Sequence, residues 1–118
     1  MLPKINRLKK RTEFQYSYKH GKTAHFKEFS VVVFSRRDKL LRIGFSVSKK
    51  IGKATVRNHV KRQLRAIVNK QLNYIKRGYN LIFVAHESIN LLEFSAMCDK
   101  INLALNKLNL LERPDDNI

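Results

Sequence analysis

At 118 residues the chain is about the size of one compact domain and too short for two independent cores. Its hydrophobic content of 43%, with seven Phe and four Tyr, supplies a packed interior and excludes a disordered chain. The formal net charge is +16, from 25 Lys plus Arg against nine Asp plus Glu, and no apolar run approaches the roughly 18 residues of a membrane-spanning helix.

In chain order, Lys4 to Arg11 is a basic lead-in, and Thr12 with Gln15 three residues on fits a capping box that opens a short helix ending near Gly21. The β-branched and aromatic stretch FSVVVF, Phe29 to Phe34, predicts a strand. SRRDK then makes a polar turn, and LLRIGFSVS, Leu40 to Ser48, reads as the hairpin partner. KKIGK, Lys49 to Lys53, is a basic loop in which Gly52 permits an unusual backbone angle. A long helix follows from about Thr55 to Ile75, with Val56, Val60, Leu64, Ile67 and Val68 forming an apolar stripe. The nearly continuous apolar run YNLIFVA from Tyr79 predicts a strand buried on both faces. Asn90 with Glu93 fits a second capping box, and Phe94, Met97, Ile101, Leu105 and Leu108 give a last helix to about Asn109. The end ERPDDNI is polar, so the reading is one domain over 1–112 and a flexible tail at 113–118. Helix, strand, strand, helix, strand, helix is the pattern of an α+β, two-layer sandwich.

The charge is unevenly placed. Residues 1–65 carry 19 Lys or Arg and three acids (Glu13, Glu28, Asp38), while residues 66–118 carry six of each, so the whole excess lies in the first half. Like charges destabilise a compact state, and the usual compensation is a polyanion: nucleic acid first, an anionic membrane surface second. The amino terminus lacks a signal-peptide apolar core, so the chain reads as soluble and cytoplasmic. The single Cys98 has no disulfide partner or metal-ligand neighbour and reads as a buried thiol in a helix.

Phosphodiester cleavage by protein alone needs paired carboxylates holding metals or positioned histidines. Neither pattern is visible: the three acids of the basic half are flanked by solvated residues, and His20, His25, His59 and His86 form no paired motif. Binding chemistry is plentiful instead. Arg57, Lys61 and Arg65 share one side of the long helix at four-residue spacing with no acid between them, and Asn58 and Arg62 lie beside them. Such a row neutralises phosphates with strongly salt-dependent affinity. On the first helix Phe14 and Tyr18 are four apart with Lys19 adjacent, the pairing of aromatic faces and cations on which unpaired bases stack; core packing is the competing role for each ring. Tyr16 lies on another face and reads as structural.

GFSVSKKIGKATVRNHVKRQLR, Gly44 to Arg65, together with RLKKRTEFQYSYKHG, Arg7 to Gly21, resembles the protein subunit of bacterial ribonuclease P. That family has a Ser-Val-Ser-Lys-Lys segment, a glycine and an Arg-Asn-Arg helix continuing into Lys-Arg and a further Arg. The resemblance implies an α-β sandwich with a left-handed strand-helix-strand crossover, against the general rule of handedness. It implies an RNA subunit that performs the Mg2+-dependent removal of the 5′ leader from precursor tRNA, with the Mg2+ held mainly by that RNA. On this carry-over Phe14, Tyr18 and Lys19, with a strand position such as Val32 or Phe34, face the single-stranded leader. Ser48, Lys49, Lys50, Arg57, Asn58, His59, Lys61, Arg62 and Arg65 face the RNA subunit or metals near it. Two departures stand out: His59 replaces the second Arg of the Arg-Asn-Arg motif, and Val32 stands where some members have an aromatic. An RNA-binding module of ribosomal-protein or chaperone type is the alternative that charge alone allows.

Overall fold

Phe29–Ser35 and Tyr79–Ala85, the two most apolar stretches, become neighbouring strands at the centre of a four-stranded mixed sheet. The structure is a computed structural model that describes residues 2–112, so the expected tail at 113–118 lies outside the described residues. Its main elements are α1 (Arg11–His20), β1 (Lys22–His25), β2 (Phe29–Ser35), β3 (Leu41–Ser46), α2 (Ala54–Gln71), β4 (Tyr79–Ala85) and α3 (Phe94–Lys107), and the sheet order is β1-β2-β4-β3. The α+β sandwich is as expected, and β4 is buried on both faces.

Two features of the sheet correct the sequence reading. β2 and β3 are not a hairpin: β4 lies between them, antiparallel to β2 and parallel to β3, with α2 as the crossover that a parallel pair requires. The polar run SRRDK, which starts at the last residue of β2, is a turn signal, but a turn does not decide which strands exchange hydrogen bonds, and the two-sided apolarity of β4 wins the central place. The strand β1 is additional. KTAH is short, largely exposed and carries no alternation to detect, as suits an edge strand whose one neighbour is β2.

Because side chains alternate across a strand, the sheet has two apolar faces. Val31, Leu41, Ile43, Leu81 and Phe83 join Val60, Leu64, Ile67 and Val68 of α2 and Met97, Ile101 and Leu105 of α3 in the main core. Burying each large side chain contributes about 1.5–3 kcal/mol. Val56 begins the stripe in sequence but is exposed in the first turn, where it stacks over Gly52, whose φ of +152° is open only to glycine. The opposite face holds a smaller cluster of Leu8, Val32 and Ile82 with Phe14 and Val84.

Neither predicted capping box forms. α1 begins one residue before Thr12 and α3 after Glu93, each without a side-chain cap, and the Asn90 amide donates instead to the Ile51 carbonyl at 2.7 Å. The long helix stops at Gln71 and passes into a 3₁₀ turn at Leu72–Tyr74. Cys98 is half-buried against the main core.

Candidate nucleic-acid interface

α1 is anchored to the sheet by a polar chain. Ser17 is buried, and its Oγ accepts from Asn80 Nδ2 of β4 at 3.2 Å, while Asn80 Oδ1 accepts from Arg36 Nη1 at 2.8 Å. Arg36 also grips Asp38 through Nε at 2.7 Å and Nη2 at 2.8 Å. That bond, with the Leu40 N–H, holds the Asp38 carboxyl down at about 2, and the same pairing raises the Arg36 guanidinium above its ordinary value. Glu13 of α1 receives Arg42 Nη1 at 3.3 Å.

This anchoring sets the rings. Phe14 is half-buried and lies directly on Gly44 of β3: a Cβ there would stand 2.4 Å from Phe14 Cζ. Tyr18 is 42% exposed and its centroid is 6.4 Å from that of Phe14, with planes tilted by 39°; Lys19 beside it is exposed. The expected strand partners are elsewhere. Val32 is only 2% exposed, sealed with Leu8 and Ile82, so it supports Phe14 from the sheet and presents no surface to a ligand. Phe34 meets Tyr16 edge-on at 5.3 Å and lines a different groove with Arg36 and Arg37. Tyr16 itself is not structural filling: it is 55% exposed and packs on the His20 ring at 4.3 Å.

On α2 the stripe Val60, Leu64, Ile67 and Val68 faces the core, which turns the remaining positions outward. Asn58, His59, Arg62 and Arg65 are exposed, Arg57 and Lys61 half-buried, and Ser48, Lys49 and Lys50 are exposed in the turn leading in. Among the described residues the ion pairs involve only Arg36, Arg42 and Lys100 as cations, so no acid neutralises this row. Arg57 Nε is buried without a hydrogen-bond partner.

The two halves meet in one recess of about 300 Å³, where Lys61 and Arg65 of α2 face Phe14 and Gly44, and Arg7 and Lys9 of the lead-in complete the rim. Arg7 was not singled out from the sequence. The lead-in is docked on β3 through a bridge from Arg7 to Ile43 and a 3.0 Å bond from Leu8 N to the Ile43 carbonyl. The available signal was Leu2 and Leu8, two buried apolar anchors within a basic segment.

Each acid of the basic half is engaged in an ion pair, Asp38 at the exposed surface. Glu13 pairs with Arg36 and Arg42, Asp38 with Arg36, and Glu28, buried, with Lys100 Nζ at 3.3 Å. Among the described residues no group of three His, Cys, Asp or Glu is placed to hold a metal ion. No described helix is long and apolar enough to cross a membrane. The arrangement can bind a flexible polyanion and stack its unpaired bases.

A family model described as Ribonuclease P matches residues 2–109. The ribonuclease P protein component of Clostridium botulinum (strain 657 / Type Ba4) is 41% identical over 88 residues, 74% of this chain and 79% of that one. Its counterpart from Caldanaerobacter subterraneus subsp. tengcongensis is 35% identical over 115 residues, covering 98% and 99% of the two chains. Among solved structures, the RNase P protein of Staphylococcus aureus aligns with a TM-score of 0.85 at 26% identity, over 92% of this chain and 100% of that one. The RNase P protein of Thermotoga maritima aligns with a TM-score of 0.77 at 28% identity, over 86% and 96%.

Proposed function

This chain belongs to the ribonuclease P protein family, and from that premise we propose that it is the RNA-binding subunit of a ribonucleoprotein endonuclease whose bond-breaking chemistry resides in RNA. It acts in tRNA 5′ maturation, in which the leader is removed from precursor tRNA. The observation that carries the division of labour is the recess shared by Phe14, Lys61 and Arg65, where a stacking ring and cations without acid partners meet.

In this reading Phe14 and Tyr18 stack on leader bases, and Lys19 offsets the charge of the adjacent phosphates. Ser48, Lys49, Lys50, Arg57, Asn58, His59 and Arg62 dock on the RNA subunit, releasing condensed counterions as they do so. Lys61 and Arg65 stand at the border between the two RNAs, because they share the recess with Phe14. The donor set does not fit a protein-held Mg2+. The ion takes several oxygen ligands, carboxylates among them, whereas the exposed groups of this surface are mostly ammonium and guanidinium with only the neutral oxygens of Ser48 and Asn58 beside them, so RNA phosphates are its proposed ligands.

Adding the purified protein to a bacterial ribonuclease P RNA at low Mg2+ tests the proposal. Stimulated release of the leader supports it. No stimulation, with RNA binding retained, leaves a general RNA-binding module, and cleavage by the protein without RNA overturns the assignment of chemistry to RNA.

A further inference from the structure

The sheet face that carries α1 continues beyond it. His25, Ser30, Val84 and Ser46 form one row across all four strands, two residues along β2 from Val32 and therefore on its face. This row lies outside the Phe14–Tyr18 contact and has no role in the reading above. His86, just past β4, joins it from the strand end.

Three bonds run in series. Ser30 Oγ is 2.8 Å from His86 Nε2 and 3.0 Å from His25 Nδ1, and His86 Nδ1 is 3.1 Å from the Lys27 carbonyl. Ser30 is only 3% exposed, whereas His25 is exposed on the edge strand. Ser88 Oγ donates to the same Lys27 carbonyl at 3.0 Å, and His86 N to the Glu28 carbonyl at 3.0 Å, so the 86–88 segment is clamped to the β1–β2 turn.

The chemistry of these partners orders the protons. A carbonyl only accepts, so His86 Nδ1 carries a hydrogen, and neutral His86 presents Nε2 as a lone pair. Ser30 gives its single proton to that lone pair, and Ser30 Oγ then accepts from His25 Nδ1–H. His25 Nε2 is left as an acceptor on the exposed ring. One added proton reverses it, whichever ring bears the charge. With the charge on His25 the existing bonds persist and Nε2 is protonated. With the charge on His86, Nε2 of His86 donates to Ser30, Ser30 donates to His25 Nδ1, and the His25 hydrogen again sits on Nε2. The exposed ring atom is thus an acceptor in the neutral chain and a donor in the protonated one, with the positive charge on His25 itself or relayed from His86.

A phosphodiester oxygen only accepts, so it can pair with the protonated chain alone. The surrounding charges favour an anion there. Lys27 in the turn is exposed, Glu28 is committed to Lys100 of α3, and Glu87 is the one other acid nearby in sequence; Lys22, three residues from His25 on β1 and paired with Val33, lies on the other face of the sheet. Among the described residues no carboxylate lies within 4.0 Å of either imidazole. Resting on the leader-docking reading, we propose that His25, relayed through Ser30 to His86, is a second, pH-gated contact for a phosphate of single-stranded RNA, at the end of the sheet face beyond Phe14 and Tyr18.

The test measures precursor and mature tRNA affinity of the holoenzyme between about pH 8 and about pH 5.5, a window that brackets ordinary imidazole titration. In the precursor-to-mature ratio, groups that meet only the RNA subunit, His59 included, cancel. The ratio rises about tenfold as pH falls, the size of one charge-assisted bond. His25→Gln flattens it, His86→Gln shifts its midpoint by removing one of the two rings that share the proton, His20→Gln does neither, and His25→Lys holds the ratio high at both ends. An unchanged pH slope in His25→Gln overturns the proposal. A wild-type ratio above one but independent of pH also overturns it and leaves the leader reading intact, whereas a ratio of one at every pH sinks both. Independently, long-range imidazole nitrogen spectra of the free protein at pH 8 show both rings as the Nδ1–H tautomer; an Nε2–H tautomer at His86 refutes the relay.

Discussion

Gly44→Ala tests whether the seat of Phe14 on the sheet is what readies it for RNA. The new Cβ would stand 2.4 Å from Phe14 Cζ, 2.7 Å from Cε1 and 3.3 Å from Leu8 Cβ; the first two distances force the ring from its place, and the third asks Leu8 to give slightly. Phe14 is half-buried and its ring tip can swing outward, which keeps the folding cost near the lower end of the about 1–3 kcal/mol of core overpacking. The functional loss is that of one stacked base, about 1–3 kcal/mol, or about 5- to 150-fold in precursor affinity, with mature tRNA affinity little changed. Fluorescence titration of both RNAs against the holoenzyme gives the two numbers. If Gly44 acts only through Phe14, Gly44→Ala adds nothing in a Phe14→Ala background, since the two substitutions then remove the same contact. Equal losses for both RNAs, or full additivity in the double variant, would refute the argument.

Other outcomes follow from the same geometry. Arg65→Ala lowers affinity for RNA and reduces the salt slope of binding by roughly one, whereas an unaltered slope removes Arg65 from the phosphate contacts. His59→Arg strengthens assembly with the RNA subunit at about pH 8, where imidazole is mostly neutral; weaker assembly in a band-shift titration counts against a phosphate at that position. Asn80→Ala strips buried Ser17 of its donor and costs about 1–3 kcal/mol in urea unfolding, and an unmoved midpoint would show that α1 is held some other way. The Asp38 carboxyl is depressed from 3.8 to about 2, so its stabilisation is complete above the ordinary carboxylate range and is lost as pH falls through about 2. Wild type and Asp38→Asn therefore differ in thermal stability at neutral pH and converge near pH 2; a gap that persists in acid contradicts the pairing.

Much of this was legible from residues alone where a pattern repeats. The stripe on α2 put Val60, Leu64, Ile67 and Val68 inside and thereby turned Arg62 and Arg65 outward, with Arg57 half-buried at its edge. The continuous apolarity of Tyr79–Ala85 marked the central strand. What failed depended on pairing across the chain. Nothing local states that β4 separates β2 from β3, or that Phe34 turns toward Tyr16 while Val32 is covered by α1 and the lead-in. The capping boxes failed because the same side chains found other positions, as Asn90 did on the Ile51 carbonyl. The histidines gave no motif because His25 and His86 are 61 positions apart and are joined through a serine.

The insertion of β4 between β2 and β3 also orders events on the ribosome. Both flanking strands emerge first, with a vacancy between them that only Tyr79–Ala85 can fill. Until that late segment is synthesised, two rows of backbone donors and acceptors stay open, and sheet closure waits on contacts distant in sequence. The surplus positive charge, all in residues 1–65, therefore enters a cell crowded with polyanions before the sandwich that will display it can close.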